Sequence, residues 1–177
     1  MKNQEQSKVG IALYSELLRR ELAAVEVYRL ADALLDSDLG GPNYDDLRQR
    51  HQEQVDSLIA LIRSLGGEPC SSEVSWDRPH TAVLCAATLY GFEVPELELR
   101  ELEGEIVRAY RIAVSVDSLE TSLAESLSTM LLPSACETLE LLKSSSATHL
   151  GELESKEADE MGSRSERSSR SMEEGAA

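Results

Sequence analysis

The most restrictive feature of this sequence is the placement of its breaks. The 177 residues include only ten glycines and five prolines, and several of these gather in short clusters such as Gly40-Gly41-Pro42 and Gly66-Gly67. Between the clusters, apolar residues recur at helical spacing over long stretches. The pattern therefore predicts a few long helices and an all-α fold.

We predict four helical segments, A to D. Segment A runs from about Ser7 to Asp38, and segment B from Asn43 to Leu65. Segment C runs from Pro95 to about residue 130, where Leu132-Pro133 breaks it. Segment D begins with a Ser134-x-x-Glu137 capping box and ends near Lys156. A turn near Asp117 is the alternative end of segment C, because Asp117-x-x-Glu120 also resembles a helix cap.

The connection between segments B and C is long. It includes Gly66 to His80, followed by an apolar helical stretch at 80–92, and it could carry the chain from one end of a bundle to the other. We therefore predict an antiparallel four-helix bundle over residues 1–156, with a long connection between helices two and three. Residues 157–177 are acidic and rich in Ser with almost nothing to bury, which predicts a disordered tail.

The net charge of the chain argues against some classes of binding partner. The formal net charge is −16, so phosphate groups of nucleic acids and anionic membranes would repel the chain. We find no signal peptide and no apolar run of the ~18 residues that suggest a membrane span. Cys70, Cys85 and Cys136 have no metal-type spacing. We expect a cytoplasmic protein that contacts other proteins or copies of itself.

One polar residue per segment falls on or near the apolar face. A step of ~100° per residue places Glu21 in the middle of the apolar stripe of segment A, with Glu26 on the opposite side. His51 lies near the centre of the stripe of segment B. Glu105 lies nearer the edge of the stripe of segment C, and His149 falls on that of segment D.

A buried carboxylate needs a partner, because burying an unpaired charge is costly. One interpretation is that Glu21 and Glu105 pair with Tyr, His or Arg side chains in the core, and Arg48 is a candidate for such a pair. The other is that Glu21, His51, Glu105 and His149 share a metal ion, since carboxylate and imidazole together suit iron, manganese or zinc. The sequence leaves both interpretations open.

This arrangement resembles the ferritin-like four-helix bundles. In di-iron members such as rubrerythrin, the first and third helices each supply a glutamate, and the second and fourth each supply Glu-x-x-His. Glu21, followed seven residues later by Tyr28, resembles the first-helix pattern. Glu105 with Tyr110 resembles the third.

The second and fourth helices match only in part. His51 and His149 correspond to the two histidines of the Glu-x-x-His motifs, whereas Arg48 and Ser146 stand where the motifs have glutamates. Over residues 8–155, including the LGGEP sequence after segment B, the chain also resembles a bacterial ferritin-like bundle family without an assigned activity.

Two functions follow from this resemblance. The first is an interaction or assembly module with a degenerate polar core, which is not an enzyme. The alternative is a metal-binding oxidoreductase or metal-storage protein that uses iron, manganese or zinc. The sequence has no nucleophile–base arrangement, Gly-rich phosphate loop or Cys/His zinc spacing, so hydrolase and nucleotide-binding functions have no support.

Overall fold

The computed structural model describes residues 2–34, 42–70, 93–117 and 119–144. Helix α1 spans Lys2–Leu34, α2 spans Tyr44–Ser64, and α3 spans Glu93–Val114. Helix α4, Thr121–Ser126, leads into a π-helical turn, Leu127–Leu131, and residues 132–144 are again α-helical. These ranges contain no strand, so the all-α prediction is confirmed. No helix in them is both long and apolar enough to cross a membrane.

The ends of α2 lie close to those predicted for segment B. Asn43 is the N-cap, and its side chain accepts a hydrogen bond from the backbone N–H of Asp46 at 3.2 Å. After the other end, Gly66 has φ = 76°, a left-handed conformation that glycine adopts most readily. The N–H of Gly67 then donates to the carbonyl of Ile62 at 2.9 Å, which is one bond of a Schellman motif.

Helices α1 and α2 are antiparallel. The ring of Tyr28, near the end of α1, lies 6.4 Å from the ring of Tyr44 at the start of α2. Glu21, earlier in α1, contacts His51, later in α2. The apolar stripe predicted for segments A and B is confirmed where the structure describes it, because these members of the stripe are buried: Tyr14, Leu17, Ala24, Tyr28, Ala31, Tyr44, Leu47, Val55, Leu58 and Ile62.

Helices α2 and α3 run in the same direction. His51 contacts Glu103, and Gln54, one turn later in α2, contacts Tyr110, two turns later in α3. The chain therefore leaves α2 at one end of the helix pair and enters α3 near the other. Residues 71–92, which make this connection, lie outside the described residues.

The last described helix runs opposite to α2. Near its start, the carbonyl of Leu123 accepts a hydrogen bond from the Tyr14 hydroxyl at 3.0 Å, and Tyr14 lies level with the second half of α2. Further along, Glu137 pairs with Arg50 in the first half of α2 at 3.3 Å. Burial and the charge of Glu120 raise the pKa of Tyr14 to about 12.

The prediction of one helix from Pro95 to residue 130 is wrong, and the alternative boundary near Asp117 is correct. Helix α3 ends at Val114, and α4 begins after Glu120. Glu120 is the N-cap residue, but its side chain makes no capping hydrogen bond. The regular helical step is interrupted at the turn between the two helices. The apolar face of α4 can therefore point in a different direction from that of α3.

The predicted break at Leu132-Pro133 is also wrong. The chain stays helical through Pro133 because the preceding turn is π-helical, and the N–H of Leu132 donates to the carbonyl of Leu127 five residues earlier. This wider turn accommodates a proline ring that would clash in a regular α-helix. Ser134 is therefore inside the helix, where its carbonyl accepts a bond from the Thr138 hydroxyl, and it caps nothing.

Several sequence predictions fall on residues outside the described ranges. These include the apolar stretch at 80–92, the candidate ligand His149 and the predicted tail, 157–177. They stay predictions.

Candidate functional site

The site is a histidine ring between two glutamates, and each of the three residues comes from a different helix. The Nδ1 atom of His51, on α2, lies 2.7 Å from Oε2 of Glu21 on α1. Its Nε2 atom lies 2.8 Å from Oε1 of Glu103 on α3. All three residues have zero exposure. We call this group the Glu–His–Glu cluster.

Tyr28 of α1 supports the cluster in two ways. Its hydroxyl donates a hydrogen bond to Oε1 of Glu103 at 2.9 Å, the same oxygen that His51 contacts. Its ring also stacks on the His51 ring, with centroids 5.2 Å apart and planes at 16°. Burial and the charge of Glu103 raise the pKa of Tyr28 well above its usual value, so this hydroxyl keeps its proton and acts as a donor.

Tyr110 of α3 lies on the other side of the cluster. Its hydroxyl donates to Oε1 of Gln54, on α2, at 2.9 Å. Burial raises the pKa of Tyr110 further than any other cause, and the charges of Glu21 and Glu103 raise it as well. Each tyrosine thus lies near a glutamate of the opposite helix: Tyr28 near Glu103, and Tyr110 near Glu21.

His51 carries a positive charge in the protein interior. Burial by itself lowers the pKa of His51, but the adjacent Glu103 and Glu21 outweigh burial and raise this pKa to about 10. The ring is therefore an imidazolium at neutral pH, and both N–H groups donate to carboxylates. The stacked Tyr28 ring adds a cation–π contact to this cation.

Three buried polar atoms of the two glutamates and of Gln54 have no hydrogen-bond partner among the described residues. They are Oε1 of Glu21, Oε2 of Glu103 and Nε2 of Gln54. Their side chains are fully buried or nearly so. Both nitrogens of His51 are therefore hydrogen-bonded, whereas each glutamate keeps one oxygen without a hydrogen bond.

The structure brings together two of the four predicted site residues. Glu21 and His51 are buried, as their positions on the helical wheel predicted, and the structure also brings them into direct contact. The inward prediction for Glu105 is wrong, because its side chain is exposed and Glu103 occupies the buried position. His149 lies outside the described residues.

The sequence contains a signal that identifies Glu103. Tyr28 follows Glu21 by seven residues, and Tyr110 follows Glu103 by the same interval. Seven residues are about two helical turns, so each pair shares one helix face. The repeated Glu-x6-Tyr spacing selects Glu103, whereas Glu105 precedes Tyr110 by only five positions.

Arg48 does not enter the core. It pairs with Asp45 on the surface of α2 at 2.5 Å, so the predicted pairing of Arg48 with a core glutamate is wrong. The partner that the buried glutamates share is His51. Core pairing with a histidine, one of the predicted partners, is therefore correct for Glu21, and it is wrong for Glu105, which is exposed.

The cluster as arranged does not fit a metal ion. A metal binds imidazole through a ring nitrogen lone pair, and here both ring nitrogens face carboxylates and the ring is protonated. Among the described residues, no group of three or more His, Cys, Asp and Glu side chains is placed to hold a metal. Metal ligation by Glu21, His51, Glu105 and His149 stays a prediction.

Comparison of the chain with protein-family models, curated proteins and solved structures gave no match.

Proposed function

We propose that this chain is a ferritin-like four-helix bundle whose core holds a hydrogen-bonded cluster in place of a metal centre, and that it acts through its surface as an interaction or assembly module. One observation carries the proposal. Both nitrogens of the His51 imidazolium are engaged by buried carboxylates, so each of the two carboxylates has a cationic hydrogen-bond partner without a metal ion.

The helix directions support the bundle topology. Helix α2 is antiparallel to α1 and parallel to α3, and the last described helix is antiparallel to α2. A long connection between parallel second and third helices is the arrangement of ferritin-like bundles. Glu21 and Glu103 also come from the first and third helices, which supply single glutamates in di-iron members.

The surface supports an interaction role. Ile112 and Met130 are large apolar side chains that are 59% and 64% exposed. A groove of about 540 Å³ also separates the first half of α2 from residues 132–144, and Leu47, Leu141, Asp46 and Glu53 contribute to its lining. Exposed apolar side chains next to charged ones are typical of contact surfaces between proteins.

Metal analysis tests the core half of the proposal. Protein purified without chelators should contain iron, manganese and zinc far below one equivalent, and EDTA should leave its melting temperature unchanged. Stoichiometric metal that disappears in His51→Ala, and that persists in the surface control Arg48→Ala, would contradict the proposal.

Sedimentation velocity tests the surface half. We expect concentration-dependent self-association that Ile112→Ser combined with Met130→Ser weakens. Arg108→Ser, an exposed substitution on the same helix as Ile112, is the control and should have no effect. A wild-type protein that stays monomeric at every concentration would leave only a different protein as the partner.

A second candidate is a metal-binding oxidoreductase or metal store. The observation that favours it is that Glu21 and Glu103 each keep one buried oxygen without a hydrogen-bond partner, and a cation would give both a ligand bond. This candidate requires His51 to lose its proton and to release at least one carboxylate. The metal analysis above distinguishes the two candidates.

A further inference from the structure

The surface groove between the first half of α2 and residues 132–144 combines apolar and acidic side chains. Its volume is about 540 Å³, and Leu47 and Leu141 contribute to its lining. Leu141 is 38% exposed. Asp46 and Glu53 also line the groove, and both are exposed. The groove therefore offers an apolar surface beside two carboxylates.

The two carboxylates have a fixed spacing on α2. Arg50 also lines the groove, but it pairs with Glu137 at 3.3 Å. Among the described residues, no ion pair includes Asp46 or Glu53. These two residues are seven positions apart, so they share one helix face and lie about 10.5 Å apart along the axis. The groove thus presents two negative charges, two helical turns apart, to a positively charged segment.

The sequence contains a segment with the complementary pattern. Residues 163–171, within the predicted tail, read SRSERSSRS, and we call them the arginine segment. Its arginines recur at every third position: Arg164, Arg167 and Arg170. In the polyproline II conformation, a major conformer of unfolded chains, three residues complete one turn and advance about 9.3 Å. Arginines at this interval share one face, and their separation is close to that of Asp46 and Glu53.

The arginine segment is within reach of the groove. The last described residue is Ser144, three positions after Leu141. If the helix continues to Lys156, as predicted for segment D, Leu141 lies about 22 Å back along its axis. The eight residues from Lys156 to Arg164 can span about 26–29 Å. The segment can therefore fold back onto the groove of its own chain, where the short tether gives it a high effective concentration.

The direction of docking follows from the order of the helices. Glu137 pairs with Arg50, and the last described helix runs opposite to α2, so residue 144 lies level with the start of α2. The chain therefore approaches the groove from that end, and the arginine segment runs parallel to α2. In this direction the earlier arginine of a pair meets Asp46, and the later one meets Glu53.

We propose that the arginine segment docks in this groove of its own chain. Arg167 pairs with Asp46. Arg170, three residues later, pairs with Glu53. This register requires the least extension of the residues that precede the segment, and a guanidinium can donate two parallel hydrogen bonds to each carboxylate. The inference goes beyond the proposed function, and it depends neither on the metal-free core nor on self-association.

Limited trypsin digestion of the full chain tests the docking, because trypsin cleaves after arginine and a docked segment is protected. Asp46→Asn combined with Glu53→Gln removes both charges and keeps the shapes of the side chains. We expect initial cleavage after Arg167 and Arg170 to be about fivefold faster in this double variant than in the wild type, as the loss of two exposed ion pairs implies.

Asp56→Asn combined with Glu101→Gln is the matched control, because it makes the same two changes at exposed positions outside the groove. Its cleavage rates should equal those of the wild type. Equal rates in all three proteins would overturn the proposal. A wild-type rate constant that rises on dilution would also overturn it, because the segment would then occupy the groove of another copy.

NMR relaxation of the same proteins gives a second reading. In the wild type, the amides of Arg167 and Arg170 should have order parameters near the value of about 0.85 that is typical of rigid backbone. In the double variant they should fall below about 0.6, the range of flexible chain. Values below about 0.6 in the wild type would overturn the docking. They would leave the proposed function standing, because metal analysis and sedimentation test other parts of the molecule.

Discussion

At the scale of single residues, the interior of this protein depends on how one imidazolium ring is paired. His51 donates to Glu21 on one side and to Glu103 on the other, and Tyr28 stacks on its ring. Removing one partner from a buried ion pair leaves an uncompensated charge, which costs far more than losing a surface pair. The cluster should therefore be much more sensitive to substitution than the charged surface around it.

Glu103→Gln should lower the free energy of unfolding by about 2–3 kcal/mol, because it replaces the charged acceptor of two buried hydrogen bonds, from His51 and Tyr28, with a neutral one. Glu105→Gln, the same change two residues along on the exposed side of α3, should change it by less than about 0.5 kcal/mol. Urea denaturation of both variants measures the difference. Similar values for the two would show that Glu103 is not paired as described.

The stability of the protein should fall as the pH rises above neutrality. The pKa of His51 is about 10 in the folded protein and about 6.5 in an unfolded chain, so the folded state holds one more proton between these values. The contribution of His51 is complete below pH 6.5 and is lost by pH 10. Within this window it should decrease by about 1.4 kcal/mol per pH unit.

Denaturation curves between pH 6 and pH 10 check this slope. His51→Gln should lack the His51 contribution, so the difference in unfolding free energy between the wild type and the variant should shrink as the pH rises. A difference that is constant with pH would mean that the ring does not hold an extra proton.

The sequence predicted Glu21 and His51 correctly, because each lies in the middle of a long uninterrupted apolar stripe. Glu103 was missed for a physical reason. The stripe assigned to segment C ran through Leu102, Ala109 and Ile112, and Ile112 is 59% exposed. The buried face of α3 is rotated from that stripe and contains Leu99, Ile106, Tyr110 and Ala113, and this face includes Glu103 and leaves Glu105 outside.

At the scale of helices and turns, Pro133 shows a second limit of sequence reasoning. A proline after a long helical pattern ordinarily marks its end. Here the π-helical turn Leu127–Leu131 accommodates the proline, and the helix continues to at least residue 144. Whether a helix ends before a proline or continues through a π-helical turn depends on the packing of buried residues such as Leu131 and Ala135. A single sequence does not show this packing.

Two glycine-to-alanine substitutions should have opposite effects on stability. A Cβ added at Gly66 meets no atom within 4 Å, but its backbone has φ = 76°, so Gly66→Ala should lower the free energy of unfolding by about 1 kcal/mol. Gly104 lies inside α3, and a Cβ there also meets nothing within 4 Å. Gly104→Ala should therefore raise stability by about 0.5–1 kcal/mol, through helix propensity alone.

Chemical denaturation of the two variants and the wild type checks the opposite signs. Because neither added methyl group contacts a neighbour, steric crowding explains neither result. A stabilising Gly66→Ala would show that the end of α2 does not require the left-handed conformation.

At the scale of the whole molecule, the net charge of −16 acts against the compact state through self-repulsion. Raising the ionic strength from 0.01 M to 0.1 M shortens the screening length from about 30 Å to about 10 Å. The melting temperature should therefore rise by several degrees. Surface ion pairs such as Arg29–Glu26 are worth less than about 1 kcal/mol, so their screening should not offset the gain.

Differential scanning calorimetry in NaCl and in KCl checks this effect, and equal shifts in the two salts identify screening as the cause. A melting temperature that falls with added salt would show that attractive charge pairs outweigh the repulsion.

The all-α class was predictable from the sequence because long helical periodicities and clustered breaks permit little else. The shared direction of α2 and α3 was implied only by the length of the connection between them. The metal content and the partner were not predictable from the sequence. The metal content depends on whether both nitrogens of His51 are hydrogen-bonded, and the partner depends on contacts that a single chain does not make.

The pairing of one ring with helices from distant parts of the chain also has a dynamic consequence. If α1 or α3 detached by itself, one N–H of the buried imidazolium would lose its carboxylate acceptor, so partial opening near the ring is unfavourable and the three helices should open together. Backbone amides around position 51 should then exchange with deuterium only through global unfolding, with one common free energy of opening, while the ends of the same helices exchange faster by local fraying.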